Sequence, residues 1–421
     1  MGVILSGTVF FSGAKDLLIP MHQSPKLRVP PVSLLRRGIP FLALLALTAC
    51  RPHDFPQYDP HYREYAYVTN GGSGTVSVYD VVNVRVDREI PVGQNPTAVA
   101  ANPERNEVYV VNGGAPSGQG SVAVINAESN SVAATIPVHQ QPVAIALDPD
   151  GNLGYVVNSG SNAISVLDLK ARREVTQIGV GEAPAAARVS RDGKTLVVTN
   201  RGGNSVSIVD TTTRKVRAVF EGCPGATDVV ILPDSSKTFA ACSGGHQVMA
   251  IRLAHEARPD GRPATSDRLE SLLDVGRGPV QLALKPDGGE VFVSNSLSNS
   301  ISEIYADRDD VAGAYLMGAD PVRGLVSADN TLLYVANLHS DYVTVYSIED
   351  GKRSDAIHVG DGPSALAFSS AGHLLFVVDA RSGDVAVVRT LNPRGTGRQM
   401  FTMLPAGRGP NAIAVKSFKV S

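Results

Sequence analysis

Of the 421 residues, 68 are glycine (41) or proline (27), aromatics make up only 5%, tryptophan is absent and charged residues reach 19%. Glycine and proline are raised without reaching disordered or collagen-like levels, and a 43% hydrophobic share suffices for a core. A net charge of −2 excludes nucleic acid as a partner chosen by charge.

The chain opens with a leader. Lys26, Arg28, Arg36 and Arg37 precede an apolar run from Ile39 to Leu47, too short to span a bilayer as a helix. It ends in Leu47-Thr48-Ala49-Cys50, which resembles the lipobox of bacterial lipoproteins. Residues 1–49 are therefore expected to be a signal peptide, with Met21 the start that gives a normal length. Cys50 is expected to carry lipid and residues 50–64 to form a tether. Arg51 lacks the aspartate character of inner-membrane retention, so the outer membrane, facing periplasm or surface, is the expected location. Without the leader, 33 basic residues face 39 acidic ones, a net charge of −6. Two cysteines then remain, Cys223 and Cys242, in an oxidising compartment.

From Tyr65 onward four short phrases recur in fixed order. The first ends in asparagine: YVTN at 67–70, YVVN at 109–112 and 155–158, VVTN at 197–200, FVSN at 292–295 and YVAN at 334–337. Variants end in Cys242 and Asp379. An alternating phrase such as TVSVYD (75–80) follows, then an apolar phrase leading to glycine and proline, then an alanine-rich phrase with a Pro-Asp-Gly turn or a relative. The anchors Asn70, Asn112, Asn158, Asn200, Cys242, Asn295, Asn337 and Asp379 recur about every 44 residues. Four strands per period of that length is the signature of a β-propeller, one sheet per blade. The fold class is all-β.

These phrases resemble the YVTN-repeat β-propellers over residues 65 to about 417. The resemblance implies that the alanine-rich phrase is the innermost strand and that the C-terminal strand completes the first blade. The count of phrases predicts eight blades of four antiparallel strands; seven, the family's usual number, is the alternative. The fifth repeat is longest, and its insertion near Ala254 to Ser266 reads as an exposed loop.

Catalytic and metal motifs are not found. Gly193-Lys194-Thr195 lacks the glycine a phosphate loop requires, since residue 188 is Arg, and Asp148-Pro149-Asp150-Gly151 sits where every repeat places a turn. No G-x-S-x-G, H-E-x-x-H or C-x-x-C occurs, and spacing alone implies no metal and no cofactor. Cys223 and Cys242 flank a hairpin that returns both to one end of a blade, so a disulfide is expected, with two separate thiols the alternative.

The inner strands break their own rule in one place. Aligned on Pro96, Pro142, Pro184, Pro224, Pro279, Pro321, Pro363 and Pro410, they carry alanine at most positions two and four residues later. The polar exceptions are Arg188 and Asp228 four later, and Gln281 and Arg323 two later. Both positions share one side of a strand, so all four are expected in one sector of the central channel. Two readings stand: polar pairs that satisfy each other, or a mouth that binds an anionic or polar ligand. His246 and His339, with Arg201 and Arg381, are expected in loops at the same end. The expected function is a non-catalytic, membrane-anchored binding or scaffold propeller for an envelope protein or small polar ligand. The alternative is a lactonase-like hydrolase or a haem or redox-enzyme accessory, as among related propellers.

Overall fold

The computed structural model describes residues 58–116, 118–254, 265–390 and 398–420. The expected leader, Cys50, the expected tether up to residue 57 and most of the fifth repeat's insertion lie outside them. Thirty-two strands form eight four-stranded antiparallel sheets. Blade 1 contains Tyr62–Asn70, Thr75–Asp80 and Arg85–Pro91, and its inner strand is the C-terminal Pro410–Lys419. This strand pairs antiparallel with the first one, from Tyr62↔Lys419 to Asn70↔Pro410, so the first and last described strands close the ring by backbone hydrogen bonds. The inner strands of blades 2 to 8 are Pro96–Ala101, Pro142–Leu147, Pro184–Val189, Ala226–Ile231, Pro279–Leu284, Pro321–Val326 and Pro363–Phe368. Eight blades, not seven, make the ring.

Valine-rich alternation explains why these segments are strands, and the blade stack explains why both faces are apolar. The core is divided into clusters between neighbouring blades. Val197 and Ile208 of blade 4, for example, pack on Val229 and Met249 of blade 5. The aromatic of each first phrase fills the seams: Tyr67, Tyr109, Tyr155, Phe239, Phe292, Tyr334 and Phe376 are all buried. Blade 4 uses Val197 instead.

The anchor asparagines have a common task. Asn200 Nδ2 donates to Ser205 Oγ at 3.1 Å and Ser207 Oγ at 2.9 Å; Asn70 does the same to Thr75 and Ser77 at 3.1 and 2.9 Å. Each ties its strand to the next one out. In five blades a glycine lies against the asparagine, three residues before the inner strand; in blade 3 that place is taken by His139. A Cβ on Gly181 would come within 2.6 Å of Asn200 Cγ, and one on Gly318 within 2.5 Å of Asn337 Cγ. In Asn70, Asn112, Asn158, Asn200 and Asn295 only the amide nitrogen is satisfied, since their Oδ1 atoms are buried without a partner among the described residues. At these glycines the fit leaves no room for anything wider.

Blades 5 and 8 replace the anchor asparagine itself. In blade 5 Cys223 takes the glycine's place and Cys242 the asparagine's, and the two are bonded, with Cα atoms 4.7 Å apart. Met249 stands where blade 4 has Ser207, so no hydroxyl is left without its amide. In blade 8 the anchor is Asp379, fully buried, opposite Asp384. Its Oδ2 accepts from the Gly360 N–H at 3.0 Å. Burial pushes the Asp379 carboxyl up to about 8; the Gly360 N–H opposes this and the Asp384 carboxylate adds to it. At neutral pH Asp379 is therefore mainly the acid, and its O–H can donate as an amide would.

Candidate functional site

Every inner strand begins after a residue in the left-handed region: Asn95, Gln141, Ala183, Gly225, Gly278, Asp320, Gly362 and Gly409, with φ between 43° and 73°. The turn sets each strand along the wall of a central cavity of about 710 Å³. An inner strand has a partner on one side only, so its other backbone edge meets the lumen.

Arg188, Asp228, Gln281 and Arg323 all line this cavity, on consecutive blades 4 to 7. Their levels differ from the alignment on proline. In seven blades the inner strand's first residue is a proline opposite the anchor, as in Pro184↔Asn200 and Pro279↔Asn295. In blade 5 it is Ala226 that faces Cys242, not Pro224. Asp228 is thus the third residue of its strand, level with Gln281 and Arg323, rather than four beyond the start. The third residues around the ring are Ala412, Ala98, Ala144, Ala186, Asp228, Gln281, Arg323 and Ala365. Five contiguous alanines face three contiguous polar residues. Arg188 sits two residues further along blade 4.

Asp228 and Gln281 do the same structural job on successive blades. Asp228 Oδ2 accepts from the Leu282 N–H of blade 6 at 3.1 Å, and Gln281 Oε1 accepts from the Gly324 N–H of blade 7 at 2.6 Å. Each satisfies an inward-facing donor that would otherwise need water. Gly324 makes room for this: a Cβ there would lie 3.1 Å from Ala283 Cβ and 3.2 Å from Leu333 Cδ1. Gln281 Nε2 also donates to the Leu282 carbonyl at 2.6 Å. Arg188 donates to the Ala187 carbonyl at 3.1 Å and lies 3.7 Å from Asp228 Oδ1, a loose ion pair.

Arg323 breaks the series, because a guanidinium cannot accept the next blade's N–H. No hydrogen bond or ion pair to Arg323 is found among the described residues. It is deep in the ring yet only partly buried, since what it faces is the lumen. Desolvation lowers its pKa; Asp228 opposes the shift and Arg188 adds to it. It remains a cation at neutral pH.

The two histidines stand apart from this cavity. His246 is exposed, and its Nδ1 accepts from the Gly278 N–H at 3.3 Å. His339 is exposed and its Nδ1 lies 2.7 Å from Asp320 Oδ2. Neither lines the cavity. Arg381 reaches Asp361 at 3.7 Å on the surface. Among the described residues no group of three or more histidine, cysteine or acidic side chains could hold a metal ion. Sequence reasoning missed the neighbours that commit the remaining polar side chains to the wall. Thr97 Oγ1 donates to the Pro142 carbonyl at 3.2 Å, Thr227 to the Pro279 carbonyl at 3.3 Å, and Asn411 Nδ2 to the Pro96 carbonyl at 2.9 Å. Their signal was available: each is the second residue of an inner strand and reaches the first residue of the next.

No protein-family profile matches the chain, and no curated protein matches it. Among solved structures, it is similar to AztD from Citrobacter koseri at 12% identity, over 86% of this chain and 99% of that one, with a TM-score of 0.63. The dihydro-heme d1 dehydrogenase NirN in complex with DHE matches at 15% identity over 87% and 78%, with a TM-score of 0.64. Hydrazine synthase of Kuenenia stuttgartiensis matches at 22% identity over 67% and 91%, with a TM-score of 0.53. At such identities the likeness is one of fold alone: the eight-bladed β-propeller of this chain resembles proteins of unlike roles.

Proposed function

We propose that this protein is a lipid-anchored binding propeller of the cell envelope that takes a small anionic or polar ligand in its channel. The observation that carries the reading is Arg323. A guanidinium held inside a ring, facing an open lumen and without a protein acceptor among the described residues, is a preformed site for an oxyanion. Arg188 adds a second cation within the same sector, and the Asp228 carboxylate prevents the pair from becoming indiscriminately basic. The anchor rests on the basic and apolar leader and on Cys50. No observation favours the lactonase or haem alternatives, since His246 and His339 both lie off the cavity wall.

Two measurements test the proposal. Titration with sulfate, phosphate and acetate, followed by chemical-shift change, should give saturable binding that Arg323→Gln removes. Non-saturating responses, or binding indifferent to that change, would sink the channel reading. Cys50→Ser should move the protein from the membrane to the soluble fraction; continued sedimentation with membranes would remove the anchor.

A further inference from the structure

We propose that the channel ligand is a monoanionic organic acid, its carboxylate on Arg323 and its apolar body along the alanine arc. This rests on the reading of the channel as a ligand site and narrows its chemistry.

The first argument is charge. Arg188 and Asp228 offset one another at 3.7 Å, and Asp228 also holds the Leu282 N–H at 3.1 Å. One positive charge, that of Arg323, is left over in the sector. A single negative charge balances it; a second would have to displace Asp228 from both partners.

The second is geometry. A guanidinium offers parallel N–H donors that match the two oxygens of a carboxylate. Asp228 and Gln281 nearby are occupied, and Arg188 gives one donor to the Ala187 carbonyl and faces Asp228. Gln281 spends its carbonyl on Gly324 and its amide on Leu282, both at 2.6 Å. Of the two guanidiniums in the sector, Arg323 is thus the one with no protein partner among the described residues.

The third is the opposite wall. Blades 8, 1, 2, 3 and 4 present only the methyl groups of alanine at the level of Arg323. Thr97 and Asn411 on that side turn their polar atoms into the Pro142 and Pro96 carbonyls. Such short side chains leave the cavity of about 710 Å³ open. Backbone groups of the inner edges keep it partly wet, which suits a small acid that enters with some of its water.

The test uses the full chain with three probes, hexanoate, 1-hexanol and inorganic phosphate, by calorimetry. Hexanoate should bind, and Arg323→Gln should weaken it roughly 10–100-fold. Hexanol and phosphate should each bind at least about tenfold more weakly than hexanoate. Ala412→Leu, which fills the alanine arc and keeps the guanidinium, should also weaken hexanoate. If Arg323→Gln melts early, Arg323→Lys replaces it, keeping the charge without the fork; unchanged hexanoate affinity there overturns the inference. Phosphate binding as tightly as hexanoate also overturns it, yet leaves an anion site in the channel. No binding by any probe, or hexanoate binding that Arg323→Gln leaves unchanged, overturns both readings.

Discussion

Blades 4 and 5 solve one problem in two ways. Blade 4 fixes the start of its inner strand with a glycine under an asparagine, Gly181 and Asn200, whose amide reaches two serines. Blade 5 fixes the same place with the Cys223–Cys242 bond and replaces the inner serine by Met249. The amide clasp of blade 4 uses three residues: one with no Cβ, an amide and a hydroxyl. The cystine needs two, and frees the third position for apolar packing. Blade 8 is the intermediate case, with Gly360 kept, Asp379 in place of the amide and Ala386 in place of the hydroxyl.

Breaking the cystine should have the largest effect. Cys223→Ala with Cys242→Ala opens a loop closed across a separation of 19 residues and should lower stability by about 3 kcal/mol, read from urea midpoints. Cys223→Gly with Cys242→Asn should do no better, because the new amide faces Met249. Adding Met249→Ser supplies the hydroxyl, and the changes should couple favourably by about 1 kcal/mol in a cycle. Additive effects would mean that the three residues are not one unit.

Blade 8 comes next. The folded state holds a proton on Asp379 up to about 8, whereas the unfolded chain releases it near the ordinary aspartate value. Folding therefore takes up a proton between these values. The stability this contributes is full below the unfolded pKa and is lost as pH rises through the folded one, by up to about 1.4 kcal/mol per unit. Asp379→Asn makes the donor permanent. Its advantage over the parent should grow by about 2 kcal/mol from pH 5 to pH 7, compared by denaturation at both. A difference that does not change with pH would show that Asp379 is ionised in the fold.

The glycine arm is expected to matter somewhat less. Gly181→Ala forces a methyl to within 2.6 Å of Asn200 Cγ and should cost about 1.5 kcal/mol. Gly179→Ala, with nothing within 4 Å, should be close to neutral. Equal melting temperatures for the two variants would dissolve the clasp as a cause.

The same clasp explains what the sequence could convey. Eight phrases ending in asparagine or its substitutes gave the number of blades, because each phrase is a whole strand with its own turn. Asp228 was harder to place. Pro224 looked like the other prolines, yet 18 residues separate it from Cys242, against 16 between Pro184 and Asn200 or Pro321 and Asn337. The interval, set by hairpin length, is the physical constraint; the proline is only its common mark. Counting back 16 from Cys242 reaches Ala226 and puts Asp228 beside Gln281 and Arg323. That Gln281 and Asp228 hold backbone donors on the next blade was not legible, since it depends on where neighbouring edges meet across the seam.

The smallest expected effect bears on the channel. Arg188 lies 3.7 Å from Asp228, and its side chain is 45% exposed. A loose, half-solvated pair contributes about 0.5 kcal/mol or less. Arg188→Gln also leaves Asp228 with the Leu282 N–H and with the field of Arg323, whose own charge Asp228 already supports. Melting of this variant should therefore match the parent. A loss above about 1 kcal/mol would make Arg188 and Asp228 a structural pair, as tightly tied to the fold as the clasps. A near-zero loss leaves a cation in the lumen that folding does not require, which is what separates the wall of blades 4 to 7 from the alanine wall opposite.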